Sequence, residues 1–150
     1  LGAGAALFAR FGREWLTPRR VRWLLAALLP PYLLVVMYAS GWLGNPWSFS
    51  GSALAGLRGE MFLPFYFHYY STETQAMMSL VAIAGLYLPV GVGYWAFVRF
   101  RGWGRPRSAE AAVLALLLAA VMETGKVFVV GKHPDPTNLL IGGFSAGMAC

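Results

Sequence analysis

The stretch ETGKVFVVGKHPDPTN, residues 123–138, brings Glu123, Lys126, Lys132, His133, Asp135 and Asn138 together between two apolar runs. Glu123 and Lys126 are three residues apart, so on a helix they share a face and a carboxylate can meet an ammonium. Gly131 and Pro134 end one helix, and Asp135-Pro136, a cap residue followed by proline, starts another,. The cations of this turn and the open amides of the next helix suit an anion such as a phosphate or carboxylate. Asp135 competes for those amides as a cap. Two outcomes stay open: a site for a polar ligand, or a self-contained pair, cap and headgroup contact.

A second polar cluster, MFLPFYFHYYSTETQ, occupies residues 61–75. His68 can titrate near neutral pH or accept from a sugar hydroxyl, and Arg58 can join it as an anion contact. The alternative is an aromatic belt of Tyr66, Tyr69 and Tyr70 that tolerates a histidine. Ser48, Ser50, Ser52 and Ser71 lack a catalytic context, and the two histidines lack ligand-spaced companions,. The glycines fall in spans and turns and form no phosphate loop. No catalytic residue, metal or cofactor is therefore assigned. Cys150 stands alone, without a partner for an intrachain disulfide,.

These groups sit in a chain of 150 residues that is 58% hydrophobic and 12% charged, against about 25% charged in soluble domains. A soluble catalytic module is excluded in favour of an all-α, polytopic transmembrane helix bundle with short loops, read as a single domain over 1–150. About four spans are expected, over residues 23–43, 75–98, 109–130 and 136–150, the last truncated. Neither end reads as a natural terminus, so the chain is expected to be part of a longer protein. Pro30 and Pro31 predict a kink in the first span or a new start near Pro31. Thr72 and Gln75 have capping-box spacing before the second span, and Ser108 is the expected cap of the third, with Glu110 in its first turn. Trp23, Tyr38 and Trp42 are expected interfacial anchors. Gly143 and Gly147, in GFSAG, form a small-residue pattern suited to helix packing.

The net charge of +6 does not point to nucleic acid, because the arginines flank apolar segments instead of forming an aromatic-interleaved basic face. Arg10, Arg13, Arg19, Arg20 and Arg22 precede the first span; Arg99, Arg101, Arg105 and Arg107 follow the second. Two crossings separate the clusters, so both are expected on one side. The excess of basic residues makes that side cytoplasmic, with 44–74 and 131–135 outside. Re-entrant segments are the alternative. Glu123 would lie about 20 Å along its helix, in the outer part of the hydrocarbon, where a charge must face protein or water.

The order of these residues resembles the VanZ-like family of bacterial integral membrane proteins, named for a member associated with teicoplanin resistance. Its pattern has a Glu late in one span, a basic residue after a short gap, an Asp, then an Asn and glycines opening the next span. Glu123, Lys132, Asp135, Asn138 and Gly142 stand in those places. GLYLPVGVGYW at 85–95 looks like the family's Pro-x-Gly signature, and KHPDPTN with LPFYFHYYSTETQA is similar to longer members. The likeness covers 61–150, and 23–43 by position alone. Lys126 stands where the family often has Gln, and Lys132 where it often has Arg, so a bidentate contact does not transfer.

The resemblance implies a cell-envelope protein of the bacterial cytoplasmic membrane with a polar site near the outer face. Its expected ligands are a lipid-linked saccharide, a headgroup or a glycopeptide. Two alternatives accompany it. One is an accessory subunit docked to other membrane proteins through small-residue faces; the other, an intramembrane lipid-phosphate hydrolase, lacks a nucleophile. The bilayer itself is the partner common to all three readings.

Overall fold

A computed structural model describes residues 17–49, 63–69, 71–102 and 104–150. Arg58, with the rest of 50–62, lies outside the described residues, and for His68 only its backbone place in a helix is described.

Helix α1 spans Pro18–Ala39 and starts five residues before the expected span. The hydroxyl of Thr17 accepts from the Arg20 amide at 3.4 Å, and Pro18 holds the first helical position. Both are start signals that outrank the later apolar run. The helix continues through Pro30 and Pro31 without starting afresh, as membrane helices allow when neighbours meet the freed carbonyls. It ends in a Schellman turn: Gly41, at φ +78°, lets the Trp42 amide reach the Met37 carbonyl at 3.0 Å and its own amide reach Tyr38 at 2.9 Å,.

The single turn α2, Tyr66–Tyr69, precedes α3, Glu73–Arg101. Thr72 caps α3 through the Gln75 amide, and Gly102, at φ +71°, closes it. Arg99 and Arg101 suit its last turn, which carries the helix past the expected end at 98,. Helix α4, Ser108–Lys126, has Arg107 in the cap position, one residue earlier than expected, with Glu110 in its first turn. It stops four residues short of the expected 130. The Phe128 carbonyl instead accepts from Ser48 at 2.8 Å, and the Val130 amide donates to Pro46 at 3.1 Å. Helix α5, Pro136–Ala149, begins as expected, with the Asp135 carboxylate accepting from the Thr137 amide at 2.9 Å.

The chain is all-helical, and the isolated antiparallel bridge Trp47–Val129 is the sole β pairing among the described residues. Helices α1, α3 and α4, of 22, 29 and 19 residues, are long and apolar enough to cross a membrane. The protein is a membrane protein. Helix α5 covers 14 residues up to Ala149, about 21 Å of rise.

Helix α5 packs against both α3 and α4 around Tyr87, Ala115, Ala119 and Ala146. Lipid offers no hydrophobic drive between helices, so small residues that admit close backbones carry the association. At Gly91 a methyl group would collide with the Ala146 carbonyl, and at Gly142 it would lie 3.0 Å from the Tyr87 ring. Ser145 adds a hydroxyl bond to the Ala84 carbonyl at 2.6 Å. The GFSAG pattern is used inside the chain, with Gly143 facing Leu116 and Gly147 facing Ala112. Helix α1 lies along α3, tied by the Tyr32 hydroxyl to the Leu86 carbonyl at 3.0 Å. Arg22, Arg105 and Arg107 line one cleft, so the two arginine clusters meet at the same end of the bundle.

Candidate functional site

Glu123 sits within the last turn of α4, at the end opposite the arginines, and is 5% exposed. Three donors converge on its carboxylate. Lys126 Nζ lies 2.6 Å from Oε1, Asn138 Nδ2 lies 2.6 Å from the same oxygen, and the Asp135 amide donates to Oε2 at 2.8 Å. A charge at this depth needs such company, because an unpaired ion in a bilayer is costly. Lys126 also places its charge at the C-terminal end of α4, where the helix dipole favours it,.

The expected ligand site is thereby partly filled by the protein itself. Glu123 and the Asp135 side chain take donors that an outside anion would use. Glu123 points neither to lipid nor to an open recess. It lies behind the 131–135 turn and clamps it to α4. The side-chain oxygen Oδ1 of Asn138 is buried and has no hydrogen-bond partner among the described residues.

On the far side of the turn, Lys132 and His133 are exposed, while Pro134 between them and the cap is buried. The aliphatic stem of Lys132 runs over Gly41, so the glycine whose positive φ ends α1 also, by lacking a Cβ, leaves room for this lysine,. Of the sequence-derived residues, Glu123, Lys126, Asp135 and Asn138 form one bonded cluster, and Lys132 and His133 form its exposed rim.

Further residues complete the site without any signal in local spacing. Thr137, fully buried, accepts from the Phe65 amide at 2.7 Å and so ties the segment before α2 to the start of α5. Phe65 has φ +65°, a left-handed conformation uncommon for a bulky residue, and this bond helps to hold it,. Trp42, expected as a lipid anchor, is turned inward. Its indole donates to the Met122 carbonyl at 3.1 Å and covers Gly125, where a methyl would strike the ring. Trp47 meets Trp42 edge-on at 5.3 Å, and Phe49 packs at 5.4 Å from Phe128. This aromatic layer braces the exit of α4. The one clue to it in the sequence is the run of tryptophans after Gly41.

Fold and site together define a helical membrane protein in which the start of α5 is locked to the preceding span by a buried acid. Comparison with protein-family models, curated proteins and solved structures yields no match to this chain.

Proposed function

We propose that the chain is an integral protein of the bacterial cytoplasmic membrane, similar to the VanZ-like family, that binds a polar envelope ligand at its outer face. The arginine-rich end is cytoplasmic in this reading, following the usual distribution of Lys and Arg in short loops. The Glu123 end then faces outward, with 131–135 at the membrane surface. The ligand class combines phosphate or carboxylate charge with hydroxyl groups, as in a lipid-linked saccharide, a headgroup or a glycopeptide.

The observation that carries this reading is the fixed presentation of Lys132 and His133. Glu123 holds the Asp135 backbone and the Asn138 side chain, so the turn that bears the two exposed groups is held in place on the bundle. Preorganised cations lose less entropy on binding an anion than cations on a loose loop do. Glu123 and Asn138 act here as positioning residues, and ligand contact passes to Lys132 and His133. An accessory subunit docked through GFSAG draws less support, since Gly143 and Gly147 pack within the chain.

The test is binding of a polyprenyl-pyrophosphate-linked disaccharide to the protein in lipid nanodiscs. Lys132→Gln combined with His133→Asn is expected to weaken binding about tenfold, equivalent to about 1.4 kcal/mol, with unchanged thermal stability. Equal binding by the double variant, or wild-type binding no stronger than to protein-free discs, contradicts the proposal.

A further inference from the structure

At the arginine end a second feature stands apart from the Glu123 cluster. A cleft of about 1290 Å³ runs between α1 and the α3–α4 face, larger than the usual small-molecule pocket of about 300–1,000 Å³. Its walls are apolar, formed by residues such as Leu25, Leu29, Val92, Gly93, Phe97 and Leu114. Tyr32 lines its inner part, where the hydroxyl bridge to Leu86 ties α1 to α3. Arg22, Arg105 and Arg107 stand at the other end.

The charges at this mouth do not cancel. Glu110 is engaged by Arg107 at 3.3 Å and by the Tyr94 hydroxyl. Arg22 and Arg105 have no ion-pair partner among the described residues. Arg101 adds a further cation nearby, over the Phe97 ring at 4.8 Å from its centre. From Arg22 to Tyr32 the chain climbs ten residues of helix, about 15 Å at 1.5 Å per residue, which is half of a hydrocarbon core of about 30 Å. The cleft is therefore one leaflet deep, greasy along its length and cationic at its surface end.

We infer that this cleft is a binding site for one anionic phospholipid, with an acyl chain between α1 and α3–α4 and the phosphate at Arg22 and Arg105. Basic side chains at the membrane surface attract anionic headgroups, and arginine's planar fork matches phosphate oxygens in pairs. A zwitterionic lipid fills the same apolar walls but carries no net charge to match the two arginines.

Native mass spectrometry of the protein released from mixed phosphatidylglycerol and phosphatidylcholine vesicles tests this inference. The wild type is expected to retain one phosphatidylglycerol in about tenfold preference over phosphatidylcholine. Arg22→Gln with Arg105→Gln is expected to abolish the preference while leaving phosphatidylcholine retention unchanged. Leu114→Trp, which fills the wall, is expected to reduce retention of both lipids. Equal retention of the two lipids by the wild type overturns the inference, and this comparison stands even if a variant fails to fold. An unaltered preference in the double glutamine variant also overturns it, as does a lipid-free dimer, which would give the cleft to a second copy of the chain.

Discussion

Asn138 donates its side-chain amide to Glu123 at 2.6 Å, joining the first turn of the last helix to the final turn of the helix before it. The bond spans fifteen residues of sequence and works with the Asp135 amide, which reaches the other carboxylate oxygen. A single acid thus determines how the start of α5 is seated against the end of α4.

Glu123→Gln is expected to destabilise the protein by about 3–5 kcal/mol, because Lys126 is left as an uncompensated buried charge. The two side chains are 7% and 13% exposed, so solvent screens the pair little. Lys126→Met added to Glu123→Gln is expected to restore part of the loss. Reversible unfolding in detergent, arranged as a double-mutant cycle, should give a coupling of about 1–3 kcal/mol; additive losses would deny the pair.

Much of this was legible in the sequence, and the limits have physical causes. The 123/126 pair follows from helical spacing, and the Asp135-Pro136 start follows from the φ that proline fixes and the amide that aspartate caps. Thr17-Pro18 carries the same start signal, but the apolar run beginning at Trp23 drew the expected boundary inward. The end of α4 at Lys126 was not legible, since it depends on pairing of 128–130 with Pro46 and Ser48, eighty residues away in the chain. For the same reason local spacing identified Asn138 as a polar residue near the turn without showing that it bonds Glu123. Trp42 reads as an interfacial aromatic until its contact with Gly125 is known.

Gly91→Ala is expected to cost about 1–3 kcal/mol, since the added methyl meets the Ala146 backbone, which cannot move without shifting α5,. Gly85 lies in the same helix with open space around it, and Gly85→Ala is expected to stay within about 0.5 kcal/mol of wild type. Thermal unfolding of the two variants side by side separates helix contact from any general intolerance of alanine in α3.

Thr137→Val keeps the shape of a fully buried side chain but removes the acceptor of the Phe65 amide. A cost of about 1–3 kcal/mol is expected for the amide left unpaired. Hydrogen exchange over 63–69 should rise while exchange within α3 stays unchanged. Unaltered protection of 63–69 would show that this segment is held by other contacts.

The proposed orientation has its own test. In a Cys150→Ser background, Lys132→Cys is expected to react with a membrane-impermeant maleimide in intact cells, and Arg105→Cys only after the membrane is opened. The reverse pattern would turn the proposed polar site to the cytoplasm.

The clamp itself is read most directly at the Asp135 amide, whose proton is held by Glu123 at 2.8 Å. Hydrogen exchange of peptides covering 131–136 in nanodiscs should show this amide strongly protected in the wild type and at least about tenfold less so in Glu123→Gln, a change equivalent to about 1.4 kcal/mol of local opening. Fast exchange of Asp135 in the wild type, or protection that survives the substitution, would contradict the view that a buried carboxylate holds the polar turn in place.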